Sequence, residues 1–241
     1  MWALLFGESG WSPELLRGFA VTMLVAVSAY SLSFLVGILW SVAGASNRRL
    51  LRACWKVYAS IVMGVPPLLV IFFVYYNLPP FLGAVTGLNI EVSPLAAGIT
   101  ALAIVYSAYL GEAFRGAYLD IPDGQFEAAR ALGLKAYPLY RLVLLPQVLR
   151  LAAPALSNIW LIVLKDTAYV SLVGLVDIVR VAYVASGTTN EPFLFFLASG
   201  AVFVLLAVVS AYGIRRWEDW LERPYRQDDK AGARAAPAAV A

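Results

Sequence analysis

Residues 123–146 read DGQFEAARALGLKAYPLYRLVLLP, a polar segment between two long apolar blocks. Pro122 and Asp123 form a helix-start signal, because an aspartate there can accept a hydrogen bond from a free N–H group of the first turn. The sequence predicts a short helix through Ala131, and Gly133 is placed to end it. A helix with so little apolar surface is not stable alone in water, so we expect it to dock on another surface.

The whole chain has the composition of an integral membrane protein. Of its 241 residues, 61% are hydrophobic and 14% are charged, whereas about a quarter of the residues in a soluble domain are charged. The chain has no histidine and one cysteine, Cys54, so it lacks the commonest metal ligand and general base and cannot form an internal disulfide. We therefore expect no metal site, no catalytic residues and no enzymatic activity. The GxxxxGK[ST] loop that cradles ATP is absent as well.

Five apolar segments are long enough to cross a bilayer, and they lie at about 18–44, 57–78, 94–112, 153–174 and 192–214. The second contains Gly64-Val65-Pro66-Pro67, which predicts a break in its helix because proline lacks an N–H group.

The basic residues predict the orientation of these five spans. Arg48, Arg49, Arg52 and Lys56 follow the first span without an acidic residue, which is typical of a cytoplasmic loop. The prediction is an all-α integral membrane protein with a periplasmic N-terminal segment, 1–17, and a cytoplasmic loop, 115–150. The tail, 215–241, is predicted to be cytoplasmic and disordered from Asp228 onward, because that end is a low-complexity run rich in alanine and proline.

The loop also resembles a known motif. Glu127-Ala128-Ala129, three residues, Gly133, nine residues, Val143 and then Leu145-Pro146 is similar to the EAA loop of bacterial ABC-importer permeases, with valine where the family usually has isoleucine. The similarity extends over roughly 18–214. The run Val170-Ser171-Leu172-Val173-Gly174-Leu175 looks most like the members that import histidine, lysine, arginine, ornithine and opines.

This resemblance implies the fold of type I importers and a location in the bacterial inner membrane. It implies a subunit that passes a polar amino acid of the basic or opine class from a periplasmic amino-acid-binding protein into the cytoplasm. The short helix becomes the coupling helix, which sits in a groove of a cytoplasmic ATPase dimer. ATP and magnesium are expected on that ATPase, and no cofactor or nucleic acid on this chain. The resemblance also implies a second permease subunit, which is either a copy of this chain or, as the members it looks most like favour, a paralogue. The coupling residues are Gly124, Gln125, Glu127, Ala128, Ala129, Gly133, Leu145 and Pro146.

The fourth span is unusual, because Lys165 and Asp166 lie inside an apolar run. An ionisable residue there costs at least about 2.5 kcal/mol and usually faces the bundle interior with a partner. Two interpretations stay open: these residues contact the substrate, or they tie the span to neighbouring helices. The candidate substrate-path residues are Pro66, Asn158, Lys165, Asp166 and Thr167.

Two other classes of transport protein compete with this interpretation. A secondary transporter often shows two related halves, and we find no internal repeat. A channel-type subunit would not need a docking loop for an ATPase.

Overall fold

The computed structural model describes residues 10–235 of the chain, and the side chains of residues 10–223. This part consists of helices without a strand. In chain order the helices are α1 (Ser12–Ala45), α2 (Arg49–Gly64), α3 (Pro67–Thr86, with a π-helical turn at Phe73–Asn77), α4 (Pro94–Leu119), α5 (Asp123–Ala131), α6 (Ala136–Val173, with a π-helical turn at Leu139–Leu144 and a 3-10 turn at Thr167–Val173), α7 (Ile178–Thr189) and α8 (Pro192–Ala235).

Five of these helices, α1, α3, α4, α6 and α8, are long and apolar enough to cross a membrane. The five-span, all-α prediction is therefore confirmed. Residues 1–9 of the predicted N-terminal segment lie outside the described residues, and Ser12 already begins α1.

Helix α4 is at the centre of the bundle and is the most buried of the five. Its main neighbour is α1, which buries a face of small residues that includes Ala29, Ser33 and Gly37. A Cβ atom added at Gly37 would lie 2.9 Å from the Cβ of Leu110 on α4. Small residues allow two backbones to approach this closely inside a membrane. The core of the protein therefore forms where α1 and α4 touch.

The second crossing differs from the single span predicted at about 57–78. The chain is extended at Val65, with φ −102° and ψ 130°, as expected for a residue that precedes proline. The break separates α2 from α3, and both helices pack against α4. Tyr58 of α2 donates a hydrogen bond to the carbonyl of Ile104 (2.8 Å), while Ile71 of α3 is buried in the main core. The second span thus begins at Pro67, later than predicted, and α2 precedes it as a separate helix.

The predicted loop, 115–150, is also more helical than expected. Helix α4 continues to Leu119 and α6 begins at Ala136. In the first turns of α6, Leu139 and Leu144 are buried. Pro146 has no N–H group to donate, and the π-helical turn before it accommodates this: the N–H of Leu145 donates to the carbonyl of Tyr140, five residues back.

The tail differs from the prediction in a similar way. Helix α8 runs through Ala235 and thus enters the segment from Asp228 that was expected to be disordered. Alanine is the best helix former, and this segment is rich in it. Residues 236–241 lie outside the described residues.

Candidate functional site

Helix α5 docks on its own chain. Phe126 and Ala129 face inward, and Ala129 is only 3% exposed. They pack on a small apolar group that we call the loop cluster. Its buried members are Ile121, Ala129, Leu139 and Leu144, with Tyr118, Phe126, Leu134, Val143 and Val148 packed around them. The cluster supplies the apolar contact that the short helix lacks by itself.

The opposite side of α5 is open to solvent. Gly124, Gln125, Glu127 and Ala128 are exposed, and Glu127 forms no ion pair within residues 10–223. Leu132, directly after the helix, is 81% exposed. Ala129, which was predicted as a coupling residue, lies on the inner side of the helix beside Phe126. Leu132 was not among the predicted coupling residues, although its apolar side chain is the most exposed of this surface.

The end of α5 confirms the predicted stop at Gly133, whose φ is 72°. The N–H of Gly133 donates to the carbonyl of Arg130 (2.9 Å), and the N–H of Leu134 donates to that of Ala129 (3.1 Å). This pair of bonds is the Schellman motif, and its backbone conformation favours glycine.

The beginning of α5 differs from the prediction. Pro122 is the N-cap residue, and Asp123 is the first helical residue without a side-chain capping bond. Its carboxylate still lies at the positive end of the helix dipole.

A side-chain bridge links α5 to α6. The amide of Gln147 donates to the side-chain oxygen of Gln125 (3.3 Å) and to the carbonyl of Val143 (2.9 Å). Leu145 and Pro146 are exposed at the adjoining turn of α6. Helix α5 is therefore joined to α6 through both polar and apolar contacts.

The predicted path residues of α6 divide into two groups. Asn158 and Lys165 are exposed and lie seven residues apart, so they share one face of the helix. Thr167 is buried and its hydroxyl donates to the carbonyl of Leu164 (2.8 Å). Asp166 is partly buried and accepts a hydrogen bond from the hydroxyl of Tyr106 on α4. Pro66, the remaining predicted path residue, does not belong to α6 and is exposed at the break before α3.

Sequence reasoning missed the partner of Asp166. Tyr106 is only 3% exposed and lies in the middle of α4. A tyrosine inside an apolar helix needs a partner for its hydroxyl, which was the available signal, but the sequence alone does not show which residue supplies it.

A second carboxylate, Asp177, is buried at the junction between α6 and α7. One oxygen caps α7 by accepting from the N–H of Arg180 (2.9 Å), while the other has no hydrogen-bond partner among the described residues. Burial raises the pKa of the Asp177 carboxyl to about 6. The junction rests on α1, where Thr22 Oγ1 accepts from the N–H of Ile178 (3.3 Å).

Comparison with known proteins gives a consistent result. Residues 33–219 match the family described as binding-protein-dependent transport system inner membrane component. The chain is 38% identical over 229 residues to the nopaline transport system permease protein NocQ of Agrobacterium fabrum, covering 92% of this chain and 97% of the relative. It is 35% identical over 211 residues to the histidine/lysine/arginine/ornithine transport system permease protein HisQ of Escherichia coli, covering 86% and 91%.

Solved structures resemble the fold as well. A crystal structure of an amino acid ABC transporter with histidines matches with a TM-score of 0.77 and 26% identity, covering 86% of this chain and 94% of that one. An inward-facing structure of the MetNI methionine transporter matches with a TM-score of 0.71. Its 20% identity limits this second likeness to the fold.

Proposed function

Because this chain belongs to the family of binding-protein-dependent transport system inner membrane components, we propose that it carries a basic amino acid or an opine across the membrane. The chain is an ABC permease subunit of the bacterial inner membrane and not an enzyme. Its relatives include permeases of nopaline and of histidine, lysine, arginine and ornithine transport systems, which supports the proposed substrate class. The same similarities favour this function over a secondary transporter or a channel-type subunit.

The observation that carries the proposal is the two-sided construction of α5. Its inner side is anchored by Phe126 and Ala129, while Glu127, Ala128 and Leu132 remain uncovered. We propose that this outer side enters the groove of a cytoplasmic ATPase dimer, where Glu127 pairs with a basic residue and Leu132 supplies an apolar contact. ATP and magnesium bind to that ATPase, and closure of the dimer moves α5 as one body.

The proposed assembly also contains a paralogous permease subunit and a periplasmic amino-acid-binding protein. The N-terminus is periplasmic, and the α1–α2 corner, α5 and the tail are cytoplasmic. Arg48, Arg49 and Arg52 at that corner support this orientation. The second permease also accounts for the polar face of α6, because residues such as Lys165 at membrane depth face a partner or water rather than lipid.

Within this assembly, Lys165 binds the carboxylate of the substrate and Asn158 adds hydrogen bonds. Asp166 has a positioning role, since its bond to Tyr106 holds α6 against α4, and Thr167 supports the same turn from inside. The break at Pro66 frees backbone carbonyls, which are tolerated at membrane depth beside a water-filled path.

The test is coexpression of this chain with its ATPase, the second permease and the binding protein. We expect the four to copurify, ATP hydrolysis to rise when loaded binding protein is added, and liposomes to take up cationic amino acids in preference to neutral and acidic ones. Lys165→Met should lower uptake by about tenfold or more, as the loss of a charge-assisted bond predicts, while the matched change Lys56→Met on α2 should not. Uptake without any ATPase would contradict the proposal.

A further inference from the structure

A large groove lies between the end of α1 and the start of α6. It has a volume of about 850 Å³, and Phe114 and Tyr118 of α4 contribute to its wall. It does not belong to the polar face of α6, because Asn158 and Lys165 are not among its lining residues. Of the predicted coupling and path residues, Leu145 alone lines it.

The polarity of the groove changes along its length. The deep part is lined by apolar side chains such as Phe34, Ile38 and Leu149. The mouth is polar, since Ser46 closes α1 and Arg141 lies in the first turns of α6. One helical turn beyond the deep part, the hydroxyl of Tyr30 donates to the carbonyl of Leu156 (3.0 Å), and α1 and α6 come together there.

The mouth carries uncompensated positive charge. The guanidinium of Arg141 donates to the hydroxyl of Tyr137 (3.0 Å) and lies 5.9 Å from the centre of that ring. Within residues 10–223, Arg141 has no carboxylate partner. The N–H of Arg48 donates to Ser46 Oγ (3.2 Å), so the basic α1–α2 corner adjoins the mouth.

The dimensions of the groove fit one leaflet of a bilayer. The stretch of α1 from Phe34 to Ser46 is about 18 Å long at about 1.5 Å per residue, and half of a hydrocarbon core is about 15 Å. Flexible acyl chains of one leaflet can follow an apolar groove of this length, with the headgroup at its basic mouth.

We propose that this groove binds an anionic phospholipid of the leaflet on the α5 side, with acyl chain in the apolar part and the phosphate on Arg141 and the hydroxyl of Tyr137. Basic pockets between membrane helices recognise lipid headgroups in this way. The groove shares Tyr118, Leu144 and Val148 with the loop cluster that holds α5. A bound lipid therefore stiffens the base of α5. That consequence, and the cytoplasmic identity of the leaflet, rest on the proposed function.

The test uses the full complex with its ATPase in liposomes of phosphatidylethanolamine that contain photoactivatable phosphatidylglycerol. We expect mass spectrometry to find the label on peptides from 34–46 and 137–149. Arg141→Gln should lower labelling about 5-fold, the change expected from one basic residue near a lipid surface, and Val42→Trp, which fills the groove, should abolish it. The matched controls Lys56→Gln and Val85→Trp lie outside the groove and should label normally.

A photoactivatable phosphatidylcholine probe forms the second arm and should label the groove about 5-fold less. Equal labelling by both lipids, or no effect of Arg141→Gln, would overturn the anionic site. Cross-links from groove peptides to the second permease, without lipid label, would show that protein fills the groove. Copurification of the ATPase is scored on the same samples, so failure of the permease assignment is seen separately.

Discussion

Different residues of α5 anchor the helix to its own chain and form its exposed side. Ala129 supports the helix from inside, and Glu127, two positions earlier, faces solvent with its charge unpaired within residues 10–223. A solvated surface carboxylate contributes little to stability. We propose that Glu127, on the uncovered side of an anchored helix, interacts with another subunit.

Reversing this charge tests that interpretation. Glu127→Lys should lower ATP-driven uptake by about tenfold or more, because like charges at an interface cost several kcal/mol. The permease itself should insert and assemble normally, since this side chain is exposed and forms no ion pair within residues 10–223. Glu191→Lys, the same change at an exposed position before α8, is the matched control. Normal coupling in Glu127→Lys would exclude the proposed role.

Asp177 makes stability depend on pH. Its pKa in the folded protein is about 6, above its ordinary value of 3.8, because burial disfavours the charged form. The folded state therefore holds the proton more tightly than the unfolded state does. Its contribution to the free energy of unfolding, on the order of 1–3 kcal/mol, is present below about pH 4 and is lost as the pH rises to about 6.

Asp177→Asn should remove this dependence while retaining a side chain that can cap α7. We expect the melting temperature of the variant, relative to the wild type, to rise between about pH 4.5 and about pH 7.5. Among the neighbours of Asp177, the guanidinium of Arg180 lies over the ring of Tyr183. The contacts that α1 makes with this junction come from Gly18 and Thr22, and neither residue titrates. A constant difference across this pH range would show that Asp177 does not carry the effect.

At the scale of elements, both π-helical turns precede prolines. The turn at Phe73–Asn77 is followed by Pro79, and the turn at Leu139–Leu144 by Pro146. In each, an N–H group donates to a carbonyl five residues back, Leu78 to Phe73 and Leu145 to Tyr140. The wider turn lets a long helix continue through a residue that cannot donate. The second turn also borders the loop cluster, so it positions α5.

The role of Gly133 in ending α5 can be tested by substitution. An alanine at a φ of 72° costs about 1–2 kcal/mol, so Gly133→Ala should loosen the end of α5 and bring Leu134 out of the loop cluster. We expect faster amide exchange in α5 and weaker association with the ATPase, with membrane insertion unchanged.

Gly200→Ala on α8 is the control for this change, because no atom lies within 4 Å of the added Cβ and helical geometry accepts alanine. Unchanged exchange rates in Gly133→Ala would mean that the backbone conformation at this position does not hold the helix end.

At the scale of the whole molecule, the chain leaves two kinds of surface uncovered. Helix α8 exposes apolar side chains such as Val204 and Val208, as a helix in contact with lipid does. Helix α6 exposes Asn158 and Lys165, which lipid does not accept at low cost. We propose that one side of the bundle faces lipid and that a second subunit or water covers the other.

Thiol accessibility separates these surfaces. In a Cys54→Ser background, which removes the only native cysteine, exposed on α2, Asn158→Cys in the assembled transporter should react with a charged, water-soluble thiol reagent. Val204→Cys should not react, because a thiolate does not form in lipid. Equal reactivity at the two positions would contradict a polar path along α6.

The sequence by itself determined the features that depend on local chemistry. The five crossings follow from runs of apolar residues of sufficient length, the break before α3 from two prolines, and the end of α5 from a glycine that accepts a positive φ. The motif around Glu127 likewise identified the family and predicted the coupling helix.

Only the tertiary structure decided which faces of these helices meet. It turned Ala129 inward, paired Asp166 with Tyr106, buried Asp177 against α1 and left a groove beside Arg141. Most of these depend on residues far apart in the chain, such as Tyr106 and Asp166, which are 60 positions apart. Apolarity decides that a segment enters the membrane. The packing of small residues and the need to satisfy buried polar groups decide which other helices that segment packs against.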